Sequence, residues 1–156
     1  MKIYLVRHAE AVPEDGAVRD DDRWLTPRGR EAARGLARLL REQQVEPDAV
    51  LTSPLPRALQ TAELLADGLD YLGVVEVLPA LRPGAHPRVA AEELVQRGAA
   101  VVVVGHEPTI SSVGAFLLGR PSFPPFRTAQ ACAIEDGAPT FSARADVMQT
   151  VALFVD

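Results

Sequence analysis

Ala99 to Val104 is an unbroken apolar run that ends at Gly105-His106. A strand with one wet face alternates apolar and polar residues. A run with no alternation suits a strand covered on both faces, at the centre of a sheet between helices. The remainder of the chain must then supply helices for two sides of one sheet. With 156 residues it has enough for one such domain and too few for two comfortable ones.

The flanking pattern agrees. Residues 2–7 read as a short buried strand, and residues 8–26 as a polar, irregular segment with a charge-dense stretch from Arg19 to Arg23. Thr26-Pro27 reads as an N-cap with proline in the first helical turn, and the helix runs to about Gln43. Residues 49–52 form a second strand. Ser53-Pro54 repeats the cap-and-proline signal ahead of a helix to about Leu69. Residues 74–78 form a third strand, a loop spans 79–87, and a short helix over 88–97 closes at Gly98. After the central run, Gly105-His106-Glu107-Pro108 turns into a helix reaching about Leu118. Two strands are expected near 129–135 and 146–155. Strands alternating with helices predict a three-layer α/β/α sandwich. Its central sheet is mostly parallel with an antiparallel edge strand, in one domain over residues 1–156.

Sixteen Lys and Arg against 21 Asp and Glu leave a net charge of −5, which argues against broad binding to nucleic acid or anionic membranes. No apolar run approaches the roughly 20 residues of a membrane span. The first strand begins at residue 2 or 3, leaving no room for a secretion signal, so the cytoplasm is the expected compartment. The single cysteine, Cys132, excludes an internal disulfide and lies in an apolar stretch, as a buried structural thiol would.

In open α/β sheets, ligands bind beyond the carboxyl ends of the strands. Those ends carry Arg7-His8 after the first strand, Ser53 through Arg57 after the second, and Gly105-His106 after the apolar run. Singly, each has a bland explanation: an Arg-His pair at a strand end is commonly a solvated surface pair. Together, two arginines and two histidines at three strand ends suit a phosphoryl group. Arginine grips its oxygens in a planar fork and a neutral imidazole nitrogen can attack its phosphorus. His86 reads as an ordinary loop residue. A zinc site built on His8 and His106 is disfavoured because no short-spaced ligand pair accompanies them. Neither a Walker-type loop nor a Gly-x-Ser-x-Gly elbow occurs.

These residues resemble the signatures of the histidine phosphatase superfamily, the phosphoglycerate mutase-like fold. Leu5-Val6-Arg7-His8-Ala9-Glu10-Ala11 is similar to the N-terminal Arg-His-Gly signature, with Ala9 in place of the usual glycine. Leu51 through Ala62 resembles the second signature, which carries a phosphate-binding arginine, and Val104-Gly105-His106-Glu107-Pro108 resembles the third. The resemblance implies a single histidine phosphatase domain. In it His8 is the nucleophile that becomes phosphorylated, and Arg7, Arg57 and His106 complete the phosphate pocket, without metal or cofactor. The short chain, the Arg-His-Ala-Glu-Ala variant and the stretch Leu78 to Gly84 look most like SixA-type phosphohistidine phosphatases.

Many relatives place a general-acid Glu shortly after the third strand. Here that stretch reads Leu81-Arg82-Pro83, with no carboxylate. Cleaving an alcohol ester without an acid should cost ~10²–10⁴-fold. Phosphohistidine with its other ring nitrogen protonated departs as neutral imidazole, whose conjugate acid has a pKa of about 6.5, and needs little help. The absent acid therefore agrees with a nitrogen–phosphorus substrate. Connections too short for an enclosing lid agree with a phosphorylated side chain on a protein surface. The expected function is a signalling phosphohistidine phosphatase acting on a phosphohistidine-containing protein, as a monomer or weak dimer. Catalysis would use neutral His8 and cationic His106, and activity would fall at low and at high pH. Alternatives are a phosphatase for small phosphate esters, with Glu10 or Glu107 as general acid, and a non-catalytic phosphohistidine-binding adaptor.

Overall fold

A computed structural model describes residues 1–149; the part of the predicted last strand beyond residue 149 lies outside them. Seven strands form one sheet: β1 (Lys2–Arg7), β2 (Ala49–Thr52), β3 (Val75–Val77), β4 (Ala100–Gly105), β5 (Ala131–Glu135), β6 (Ala138–Arg144) and β7 (Val147–Gln149). Their order is β3-β2-β4-β1-β5-β6-β7. The first four strands in that order are parallel, and β5, β6 and β7 continue as an antiparallel meander. Among the described residues the α-helices are α1 (Pro27–Glu42), α2 (Pro56–Gly68), α3 (Pro87–Leu94) and α4 (Thr109–Leu117). Among the described residues, no helix is long and apolar enough to cross a membrane.

The apolar run is the central strand it reads as. Val101 through Val104 are each 0% exposed, between β2 and β1. Because successive side chains point to opposite faces, the run divides between two cores. Val101 and Val103 join Ile3, Leu5 and Leu51 under α3 and α4, around Leu94, Ile110 and Val113. Val102 and Val104 join Tyr4, Val6 and Val50 under α1 and α2, around Leu36, Leu40, Ala62 and Leu65. Full burial of each valine contributes about 1.5–3 kcal/mol, so a charged residue anywhere in the run would break one layer.

One helix start follows the sequence reading and two depart from it. The Thr26 side chain accepts from the Gly29 N–H with Pro27 in the first turn, as expected. His86, read as a loop residue, caps α3 by accepting from the Arg88 N–H at 3.2 Å, with Pro87 next. At α2 the cap position is Leu55, not Ser53, and Pro56 opens the helix. The Ser53 hydroxyl is engaged elsewhere, as described below. The strand over Ala138–Arg144 was not anticipated. Its signal is Asp136-Gly137, both at positive φ (50° and 80°), the two-residue turn of a tight hairpin between β5 and β6. Cys132 is buried as expected, and burial pushes its thiol pKa up to about 12.

Candidate active site

Because β2, β4 and β1 are adjacent and parallel, their carboxyl ends lie along one edge. The backbone ladder runs one residue past each strand: the His8 N–H donates to the Gly105 carbonyl (3.0 Å) and the Ser53 N–H to the Val104 carbonyl (3.0 Å). His8 and His106 therefore leave neighbouring strands at the same level, with ring centroids 5.1 Å apart. Strand β5 runs the other way, so the loop before it reaches the same edge. There the Arg7 N–H donates to the Gln130 carbonyl and the Ala129 N–H to the His8 carbonyl, both at 3.1 Å. Arg7 Nη1 donates to the Phe126 carbonyl at 2.9 Å, which fixes its guanidinium.

His8 Nδ1 lies 2.7 Å from the carbonyl oxygen of Ala9. A carbonyl only accepts, so Nδ1 carries the proton and Nε2 keeps a free electron pair. The Ala9 N–H donates to Thr61 Oγ1 (3.0 Å), whose hydroxyl donates to the Arg57 carbonyl (2.8 Å). That pair of bonds ties the turn after β1 to the first turns of α2. His106 Nε2 lies 2.7 Å from Ser53 Oγ, which also accepts the Leu55 N–H at 3.2 Å. This engagement explains why Ser53 does not cap α2.

Arg57, only 4% exposed, donates from Nη1 to the Asp20 carbonyl (2.7 Å), and its Nη2 lies 3.4 Å from an Asp20 carboxylate oxygen. Asp20 belongs to a 3-10 turn, Asp20–Asp22, in the segment between β1 and α1. Its other carboxylate oxygen accepts from Arg23 Nη1 at 3.0 Å, and Arg23 Nε donates to the Val12 carbonyl. Arg7 Nε, Arg57 Nε and His106 Nδ1 are buried and have no hydrogen-bond partner among the described residues. Buried polar groups are normally paired. All three atoms lie on residues read from sequence as the phosphate pocket.

Burial lowers the His8 pKa to about 4; the Ala9 carbonyl opposes the shift, and the charges of Arg57, Arg7 and Arg23 add to it. Burial also lowers His106 to about 3, with His8 and then Arg57 as further causes, while Asp20 acts in the opposite direction. This corrects the expectation of a cationic His106. Desolvation and the neighbouring cations both disfavour a further positive charge there, so the lowered pKa favours the neutral ring.

The four residues read from sequence, Arg7, His8, Arg57 and His106, are thus brought to one edge. The two glutamates have other engagements. The exposed Glu10 accepts from the Thr26 hydroxyl at 2.9 Å. Glu107 accepts the Ser111 N–H at 3.1 Å and the Ser111 hydroxyl at 3.0 Å, holding the first turn of α4. Sequence reasoning placed Ser53 at this edge but as a helix cap, and it did not single out Thr61, Asp20 or Arg23. The charge-dense stretch Arg19 to Arg23 was a signal for the last two; nothing local marks Thr61.

The family model of the histidine phosphatase superfamily (branch 1) matches residues 3–83. The chain is 35% identical over 149 residues to the phosphohistidine phosphatase SixA of Escherichia coli (strain K12), covering 91% of each. A solved structure of the protein histidine phosphatase SixA complexed with tungstate superposes with a TM-score of 0.81 at 27% identity, covering 96% of this chain and 97% of that one. A shorter stretch, 44% of this chain, is 41% identical to 14% of human (Homo sapiens) 6-phosphofructo-2-kinase/fructose-2,6-bisphosphatase 4. With its three strand-end signatures assembled on one edge and these relatives, the chain belongs to the histidine phosphatase superfamily.

Proposed function

We propose that this phosphatase removes phosphate from a phosphohistidine-bearing protein through a phospho-His8 intermediate. The observation that carries the reading is the 2.7 Å contact of His8 Nδ1 with the Ala9 carbonyl. It presents Nε2 as a nucleophile in the tautomer the chemistry needs, and a pKa lowered to about 4 keeps the ring neutral at neutral pH. In the first step Nε2 attacks phosphorus in line as the bond to the substrate nitrogen breaks. Arg7 and Arg57 neutralise charge on the equatorial oxygens. Neutral His106, its Nε2 accepting the Ser53 hydroxyl proton, offers Nδ1–H to another oxygen. Water then hydrolyses phospho-His8, which departs as neutral imidazole with Nδ1–H still on the Ala9 carbonyl.

The phosphohistidine substrate is supported by the extended similarity to a relative of that name and by the absence of a carboxylate in Leu81-Arg82-Pro83. The glutamates considered as acids are bonded to Thr26 and Ser111. The phosphatase acts in the cytoplasm as a monomer or weak dimer, as expected from sequence.

The test offers the protein a phosphohistidine carrier domain and a panel of phosphate esters, with acid-labile phosphate trapped on His8. Turnover of the carrier well above that of the esters is expected, and His8→Ala should abolish it. Faster turnover of esters would overturn the substrate assignment. Wild-type rates in His8→Ala would overturn the nucleophile.

A further inference from the structure

The transfer proposed above runs from one histidine to another, and the two imidazoles have the same requirement. Each leaves phosphorus as a neutral ring only if its distal nitrogen holds a proton throughout. For His8 the protein supplies an acceptor for that N–H, the Ala9 carbonyl. The substrate histidine needs a matching acceptor at the mouth of the pocket.

Asp20 is the carboxylate that meets the requirement. It is joined directly to the pocket through Arg57, by its carbonyl at 2.7 Å and its carboxylate at 3.4 Å, and Arg23 fixes the other carboxylate oxygen at 3.0 Å. A carboxylate accepts up to about four hydrogen bonds, so two arginine contacts, one of them long, leave acceptor capacity. Its side chain is 45% exposed whereas that of Arg57 is 5% exposed, so Asp20 lies on the solvent side of the arginine. An incoming side chain would approach from that direction. Glu10 accepts from the Thr26 hydroxyl and Glu107 from Ser111, whereas Asp20 is the carboxylate bonded to Arg57.

We infer that Asp20 is a specificity-determining residue whose carboxylate accepts the distal N–H of the substrate's phosphorylated imidazole, favouring histidine over alcohol leaving groups. As the His8 Nε2–P bond forms, the substrate N–P bond breaks and its electron pair returns to that nitrogen. The distal proton stays on the ring, and Asp20 remains ionised. The hydrogen bond from Arg23, then the charge of Arg57, hold its pKa below the ordinary carboxylate value, which suits an acceptor and not a proton donor. An alkoxide leaving group has no such N–H and meets an anion instead.

This inference rests on the phosphohistidine reading and is tested within it. Asp20→Asn keeps the shape and one oxygen for the arginines but removes the charged acceptor. Its kcat/KM should be measured on a phosphohistidine carrier domain and on p-nitrophenyl phosphate, whose leaving group has no distal N–H. The preference for phosphohistidine over the aryl phosphate should fall roughly tenfold to a hundredfold, the range for losing a hydrogen bond to a charged group. Asp20→Glu, which restores the charge, should recover part of that preference. Equal losses on both substrates would assign Asp20 only to holding Arg57 and would overturn the inference. A wild-type enzyme inert toward phosphohistidine would instead overturn the function on which it rests.

Discussion

The backbone N–H of His8 donates to the carbonyl of Gly105 at 3.0 Å, one step beyond the register pair Arg7–Gly105 of β1 and β4. This bond sets the two histidines side by side, residues 98 positions apart in sequence. The level at which one imidazole faces the other is therefore a property of strand register. A one-residue slip would send Arg7 and His8 to exchanged faces.

Ser53 positions His106. Replacing it with Ala removes the 2.7 Å partner of His106 Nε2 and the acceptor of the Leu55 N–H. The expected result is a drop in kcat of about tenfold, from a buried hydrogen bond of roughly 1–1.5 kcal/mol. Steady-state kinetics of Ser53→Ala check this, and an unchanged kcat would remove Ser53 from the site.

Thr61 connects the turn at His8 and Ala9 to the helix that carries Arg57. Thr61→Val keeps the shape but leaves the buried Ala9 N–H without its acceptor. A loss of about 1–3 kcal/mol in stability is expected, measured by urea denaturation. Lower activity should accompany it, because the Ala9 carbonyl orients His8.

Gly29 lies where α1 crosses the chain after His8. A Cβ on it would overlap the Glu10 carbonyl oxygen, which is backbone and cannot swing aside. Gly29→Ala should destabilise the fold by about 1–3 kcal/mol, the usual range for overpacking. Thermal unfolding should show a clear fall in midpoint, and a wild-type midpoint would contradict the close approach.

The two buried histidines make stability depend on pH in a defined direction. Their folded pKa values, about 4 for His8 and about 3 for His106, lie below the ordinary 6.5. Between these values the unfolded chain binds protons that the folded chain does not. Stability is thus fully present above about pH 6.5 and lost as pH falls toward the folded values, approaching a slope of about 1.4 kcal/mol per unit for each histidine. Denaturant titrations from pH 7 to pH 5 should show the loss, and His106→Gln should reduce its slope. For the same reason the acid limb of kcat/KM from His8 should lie below the ordinary histidine value, and loss of a proton from His106 should produce no alkaline limb in the free enzyme.

Much of the site is legible along the chain because its chemistry sits at strand ends. The run Ala99 to Val104 has no polar residue to face water, so it must be central, and Gly105-His106 follows at its end. The cap-and-proline pattern at Thr26-Pro27 is decided within one helical turn and reads correctly. The same pattern at Ser53-Pro54 misleads because Ser53 Oγ has a competing partner, His106, 53 positions away. The hairpin strand Ala138–Arg144 went unread although Asp136-Gly137, a turn pair whose positive φ values tighten the chain between β5 and β6, signals it.

The sequence by itself determined the layered α/β architecture, the strand ends and the four residues able to hold and attack a phosphoryl group. All of these follow from local periodicity and the chemistry of individual side chains. Only the tertiary structure decided the order β2-β4-β1 that makes three ends neighbours, the burial that lowers the His106 pKa, and the placing of Asp20 on Arg57. Strand pairing, burial and contacts between distant segments are properties of the assembled sheet, and no stretch of sequence carries them alone.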